Sequence, residues 1–365
     1  MEKIKVLVID DTIFYRKIIT DVLKEISGIQ VVGTANNGKI ALSRIASLKP
    51  DIITLDIEMP EMTGIDVLEQ LKDNPDPPAA VMLSTLTRKG SEMTIRALEL
   101  GAFDFITKPD AGKMAENLIK IRESLAPVIQ AFKRKKEFST RLRTKTAGKH
   151  FPVRTPDRTA AYISKYKKEK RKTPSEIIAV GISTGGPNAL AKMIPMLSPD
   201  LNVPVLVVQH MPPMFTQSLA KSLDAKSKLM VKEAENNEPV LPNIVYIAPG
   251  GRQMKVAAGP DGSTRRIKIT DDPPENSCRP SADYLFRSVS KHYVGRATGV
   301  IMTGMGSDGS KGLELMKKNG SIVIAQNKET CTVFGMPRYP IENNLTDMII
   351  PLEKIAEAIG QTVKQ

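Results

Sequence analysis

Two hydrophobic patterns alternate along the chain. Short, nearly continuous apolar runs occur at IKVLVI (4–9), QVVGT (30–34), DIITL (51–55), AAVMLS (79–84) and FDFIT (103–107). Between them lie stretches with one apolar helical face, at 13–26, 37–48, 64–73 and 89–100. Unbroken apolar character marks strands covered on both faces, hence a parallel sheet. The pattern predicts a doubly wound (βα)5 domain whose last helix spans 113–132. The alternation resumes at EIIAVGI (176–182), VPVLVVQ (203–209), NIVYIA (243–248), ATGVIMT (297–303) and GSIVIAQ (320–326). Helices are predicted at 186–197, 214–224, 281–293, 309–319 and 351–363. The runs 254–258 and 265–270 flank Pro260-Asp261-Gly262 and read as a hairpin. The fold class is therefore α/β throughout, the second domain carrying a mostly parallel sheet with an antiparallel hairpin added. There is no internal repeat.

Charge separates the two halves. The chain of 365 residues carries +13, which would suggest nucleic acid. Residues 133–172 hold 16 Lys+Arg against 3 Asp+Glu, so this one segment accounts for the whole excess. The remainder is balanced, and a basic DNA-reading domain is not expected. High charge with few apolar residues cannot offset the entropy of ordering, so a flexible linker is expected over 127–174, between domains at 1–126 and 175–365. It reads as a solvated tether, or as a weak electrostatic contact for acidic surfaces. No apolar run approaches the roughly 18 residues of a membrane span, and because MEKIKVLVIDD reaches two aspartates before a signal-peptide core could form, secretion is not expected. Two cysteines, Cys278 and Cys331, support no disulfide framework, and a cytoplasmic setting is expected.

In a parallel α/β sheet, sites form at the C-terminal ends of the strands. In the first domain those ends carry Asp10 and Asp11, Asp56, Ser84, and then Lys108. Three carboxylates in one crevice repel each other and favour a hard cation such as Mg²⁺. A hydroxyl and an ammonium beside them match phosphoryl oxygens, the parts of a carboxylate that becomes phosphorylated. Singly, such an aspartate reads as a helix N-cap, as Asp11 would for the helix beginning near Thr12.

In the second domain, Gly181-Ile182-Ser183-Thr184-Gly185 fits G-x-S-x-G between a strand and a helix. Alone this is equally a glycine-rich packing turn. A serine nucleophile needs a base, and only His150, His210 and His292 exist. His210 ends the next strand and is the favoured base. His292 lies late in a helix, where it suits the dipole, and His150 lies in the linker. The strand ATGVIMT leads into TGMGSDG, which puts Asp308 at the same edge as orienting carboxylate, or as the N-cap of the helix beginning near Gly309. With His292 as base, Asp271, Asp272 or Asp283 would be the carboxylate. Cys278 has no histidine beside it in sequence and is not read as a nucleophile.

The first domain resembles the receiver domain of bacterial response regulators. That resemblance implies that Asp56 accepts a phosphoryl group from a histidine kinase. It also implies that Asp10, Asp11, Asp56 and the Glu58 carbonyl hold Mg²⁺, and that Ser84, Phe105 and Lys108 form the switch. Residues 175–360 resemble the catalytic domain of the CheB family of chemotaxis protein-glutamate methylesterases. GISTGGP, QHMPPMFT, YIAPGG, CRPSADYLF, TGMGSDG and FGMP carry the likeness. It implies a triad of Ser183, His210 and Asp308, with Thr184 and Met305 near the oxyanion hole and no cofactor for the esterase step. The implied substrates are glutamate methyl esters, and glutamines to deamidate, on methyl-accepting chemotaxis receptors. It further implies a receiver that covers the esterase site until Asp56 is phosphorylated. A non-catalytic phospho-dependent adaptor is the alternative. Gln253 and Cys278 stand where family members usually have histidine.

Overall fold

Near-continuous apolar runs become strands, those at the centre of each parallel sheet buried along their whole length and the two edge strands of the first sheet only in part, and the chain folds as two units, Met1–Arg141 and Leu142–Gln365. The computed structural model describes residues 3–109, 114–146 and 173–364.

In the first unit, β1 (Ile4–Ile9), β2 (Ile29–Ala35), β3 (Ile52–Asp56), β4 (Ala79–Ser84) and β5 (Asp104–Thr107) form a parallel sheet in the order β2-β1-β3-β4-β5. The order reverses between β1 and β3, the place where a doubly wound sheet opens a crevice. The helices are α1 (Ile13–Glu25), α2 (Gly38–Leu48), α3 (Gly64–Leu71), α4 (Arg88–Glu99) and α5 (Met114–Thr146). Side-chain caps start three of them. Asn37 accepts from Ile40 N, Thr63 forms a capping box with Asp66, and Thr87 accepts from Gly90 N. The helix predicted to end at 132 runs on to Thr146, into the segment expected as linker. The rest of that segment, 147–172, lies outside the described residues, as does His150.

The second unit contains β6 (Ile177–Ile182), β7 (Val205–Gln209), β8 (Met230–Glu233), β9 (Ile244–Ile247), β10 (Gln253–Ala258), β11 (Arg265–Thr270), β12 (Ala297–Ile301), β13 (Ile322–Gln326) and β14 (Met348–Ile350). Seven form a parallel sheet ordered β14-β13-β12-β6-β7-β9-β8, and β10 pairs antiparallel with β11. The helices are α6 (Gly186–Met193), α7 (Phe215–Asp224), α8 (Ala282–His292), α9 (Ser310–Lys318), α10 (Arg338–Glu342) and α11 (Leu352–Val363). β6 has its sequence successor β7 on one side and the later β12 on the other, so this sheet also reverses at its centre. The hairpin stands off the sheet and buries Met254, Val256, Ile267 and Ile269 in a core shared with Leu285, Phe286 and Val289 of α8. That packing fixes the N-terminus of α8 beside the central strand ends. β8, β14 and α10 are absent from the pattern reading. They are short elements of three to five residues, and β8 is an edge strand that buries only Val231.

Candidate functional sites

At the end of β6 the chain turns sharply at Ser183. Its N–H donates to Thr303 O at 3.0 Å, and its carbonyl accepts from Gly186 N at 2.7 Å. Gly185 takes the left-handed conformation at φ 74°, and a Cβ there would meet Thr332 at 2.4 Å. Gly304 lies behind the serine, where a Cβ would stand 2.7 Å from Ser183 Cβ. The turn leaves Ser183 and Thr184 half-buried at the start of α6. The Thr184 carbonyl accepts from Thr303 Oγ1, while half-buried Met305 lies in the loop after β12.

His210 follows β7, its N–H donating to Ile182 O at 3.2 Å, which sets it one strand from Ser183. Its Nε2 lies 2.8 Å from Asp308 Oδ2. Its other nitrogen, Nδ1, lies 3.6 Å from Cys278 Sγ. The fold thus brings to Cys278 the histidine that its sequence neighbourhood lacks. Among the described residues the Ser183 hydroxyl has no hydrogen-bond partner, His210 included. Such contacts often tighten only when substrate is bound.

Asp308 is buried and does not cap its own helix. Gly309 occupies that position and makes no side-chain cap. Asp308 instead faces the start of α8. Oδ2 accepts from Ala282 N at 2.6 Å, and Oδ1 accepts from Ser281 Oγ at 2.7 Å, Asn276 Nδ2 at 2.8 Å and Asp283 N at 3.3 Å. Helix N-terminal N–H groups and charge-assisted bonds favour the carboxylate. Burial works to raise its pKa, but His210, Ser281 and Ala282 outweigh burial and hold Asp308 at about 2. For His210 burial works to lower the pKa, and Asp308 and the Cys278 sulfur outweigh it, leaving about 9.

Gln253 is buried and ties down the loop bearing Cys278. Its Nε2 donates to Pro273 O and Cys278 O, and its Oε1 accepts from Ser281 N. The other carboxylates are engaged elsewhere: Asp271 with Arg252, Asp272 with Tyr284 and Lys255, Asp283 with Gly312 N and Asn276. His292, at the end of α8, has its pKa lowered by burial and by Arg265 and Lys291. Asn276 and Ser281 were not singled out from sequence. Ser281 was legible as an N-cap, but nothing local revealed that its helix points at Asp308.

In the first unit, the strand ends gather an acidic crevice. Lys108 Nζ lies 2.8 Å from Asp10 Oδ2 and 2.7 Å from Asp56 Oδ2. One oxygen from each of Asp10, Asp11 and Asp56 lies within 4.8 Å of the others. Asp11 is exposed and does not cap α1, whose N-cap is Thr12, while Asp10 Oδ1 accepts from Thr12 N. Burial, opposed by Lys108 and assisted by the Asp10 and Asp11 charges, pushes Asp56 up to about 7. Three carboxylates against one ammonium leave net negative charge on hard oxygen ligands, a donor set that fits Mg²⁺. The buried Ser84 hydroxyl turns toward α4, 3.2 Å from Gly90 O and 2.7 Å from Thr94 Oγ1. Phe105 is half-buried, and exposed Glu58 pairs with Lys89 at 3.4 Å.

Residues 6–119 match the family model of the response regulator receiver domain, and residues 178–359 that of the CheB methylesterase. The crystal structure of the Thermotoga maritima CheB methylesterase catalytic domain matches with TM-score 0.50 at 42% identity, covering 51% of this chain and 98% of that one. A protein-glutamate methylesterase/protein-glutamine glutaminase of Bacillus subtilis is 45% identical over 99% of both chains. One of Desulfotalea psychrophila is 53% identical over 100% of both. A whole-length match at that identity, over both domains and the segment joining them, means that the chain belongs to the protein-glutamate methylesterase/protein-glutamine glutaminase family, with a CheB methylesterase domain behind a response regulator receiver domain.

Proposed function

We propose that the chain hydrolyses glutamate γ-methyl esters on methyl-accepting chemotaxis receptors to glutamate and methanol, and deamidates receptor glutamines by the same acyl transfer. The observation that carries this reading is the His210–Asp308 pair, set one strand from a serine on a strand–turn–helix corner. Ser183 Oγ attacks the ester carbonyl and His210 takes its proton. Because Asp308 occupies Nε2, the basic nitrogen is Nδ1. Asp308 fixes that tautomer and stabilises the imidazolium. The N–H at Met305 and the turn at Thr184 stabilise the oxyanion. His210 then protonates the departing methanol and activates the water that releases glutamate. This step uses no cofactor.

Asp56 accepts a phosphoryl group from a chemotaxis histidine kinase. Asp10, Asp11, Asp56 and the Glu58 carbonyl hold Mg²⁺, which when bound neutralises charge on the transferring group. Lys108 and Ser84 bind phosphoryl oxygens, with Phe105 following Ser84. The parts are a receiver at 1–126, a basic connecting segment at 127–174 with weak attraction to acidic surfaces, and the esterase at 175–365. A cytoplasmic location suits receptors addressed from that side, and no described helix is long and apolar enough to cross a membrane.

The contact of Cys278 with Nδ1 favours one second reading, a cysteine nucleophile on the same base. Methanol release from methylated receptor membranes separates the two. Ser183→Ala is expected to lower kcat by roughly 10⁴–10⁶, with His210→Ala close behind. His292→Ala and Cys278→Ala should keep most of their turnover. Loss of activity in Cys278→Ala with retention in Ser183→Ala would install the cysteine mechanism instead.

A further inference from the structure

The two nitrogens of His210 face different chemistry. Nε2 meets the Asp308 carboxylate at 2.8 Å, and Nδ1 meets the Cys278 sulfur at 3.6 Å. Histidines that ligate metals commonly donate their second ring N–H to a carboxylate, which fixes the tautomer and strengthens the free nitrogen as a donor. Asp308 meets that condition. With Zn–N of about 2.0–2.1 Å and Zn–S of about 2.3 Å at a tetrahedral angle, the nitrogen and sulfur of a zinc site stand about 3.5 Å apart. The separation found here, 3.6 Å, matches that span.

We propose that Cys278 and His210 Nδ1 form a binding site for a soft divalent cation, zinc above all, that switches the esterase off. Asp308 serves as the outer partner of His210 rather than as a ligand, because five donors already occupy its oxygens. Two protein ligands leave the other positions of a tetrahedral ion to water. Cys278 is partly exposed, so an ion can reach it. On binding, the Cys278 thiol and the Nδ1–H of the His210 imidazolium each release a proton to solvent, so that the sulfur bonds as thiolate and Nδ1 through its lone pair. The Nδ1 lone pair then lies in the metal bond and cannot take the Ser183 proton. Inhibition rests on the esterase reading, whereas binding does not. Thiolate and imidazole select zinc over Mg²⁺, while the all-oxygen crevice of Asp10, Asp11 and Asp56 has the opposite preference.

The test uses the full chain in excess Mg²⁺, with a phosphine reductant, and zinc titrated against a chromophoric chelator. One zinc ion is expected to bind per chain at this site. Cys278→Ala should weaken it about 100-fold, one ligand's share of a zinc site. Cys331→Ser should bind as the parent does. Co²⁺ in place of zinc should give a thiolate-to-metal charge-transfer band that Cys278→Ala lacks, a readout independent of turnover. Zinc should stop receptor-ester hydrolysis by the parent, and a zinc-selective chelator should restore it. Each variant is compared with its own zinc-free rate. Equal zinc affinity in the parent and Cys278→Ala, or cobalt bound without a thiolate band, overturns the site. Zinc bound at Cys278 with hydrolysis unchanged overturns the switch. A metal-free parent that releases no methanol sinks the esterase reading, and the binding data still decide the metal site.

Discussion

At the residue scale, the position of one proton on His210 sets the chemistry. A general base must be neutral, and here Asp308 and Cys278 favour the charged imidazole, with a pKa of about 9. The neutral fraction grows as pH rises through that value, so kcat/KM should climb with pH and reach half its maximum near 9 rather than near the 6.5 of an ordinary histidine. Removing the sulfur in Cys278→Ala removes one cause of the rise and should move the midpoint down. A pH–rate profile on methylated receptor membranes, corrected for uncatalysed hydrolysis, checks both. A midpoint near 6.5 in the parent would mean that the imidazolium–carboxylate pair is weaker in solution than its geometry implies. The same pair links folding to pH. The raised His210 contributes stability fully below about 6.5, lost as pH rises through about 9, whereas the lowered Asp308 contributes above 3.8 and loses it as pH falls through about 2.

At the scale of elements, the N-terminus of α8 holds Asp308, the carboxylate of the proposed triad. Ser281, Ala282 and Asp283 all donate to Asp308, and Asn276 bridges Asp308 and Asp283 from the preceding loop. Asn276→Ala removes a bond to a buried charge, of about 1.5–3 kcal/mol, so kcat should fall roughly 10–100-fold. KM should change little, because Asn276 positions Asp308 and is not expected to touch substrate. Steady-state kinetics resolve the two, and a rise in KM at constant kcat would show a substrate contact instead. The strand ends bearing Asp10, Asp56, Ser84, Ser183 and His210 were legible from apolar runs, because each residue ends its strand or follows it directly, and Asp308 was legible from the glycine-rich loop that follows β12. The brace around Asp308 was not. It joins residues 25 to 32 positions away through a helix start whose direction is set by the hairpin packed on α8. The extent of α5 was also missed, since high charge without period concealed a helix reaching Thr146. The edge elements β8 and β14 bury too few residues to leave a pattern.

At the scale of the whole molecule, the question is whether a phosphoryl group on Asp56 governs Ser183. Ser84 is bonded within the start of α4, to Gly90 O and to Thr94. A phosphoryl group adds about −2 charge beside Lys108 and offers strong acceptors. On the proposed switch, turning the Ser84 hydroxyl to those acceptors would give up its bonds to α4, so α4, with Phe105 proposed to follow, is where the surface should change. If the unphosphorylated receiver restrains the esterase, fragment 175–365 should exceed the unphosphorylated full chain in methanol release. The related Thermotoga domain crystallised alone, which supports the fragment as a folded unit. A small phosphodonor with Mg²⁺ should raise full-length activity toward that of the fragment and leave the fragment itself unaffected. Asp56→Asn should block the rise without lowering the basal rate. Assays at low and high salt separate a contribution from the basic segment, because attraction to acidic surfaces fades within a Debye length as salt rises. Equal rates in fragment, full chain and Asp56→Asn, with and without phosphodonor, would make the receiver a docking module rather than a brake. The change at Ser84 would then end at α4 and never reach Ser183.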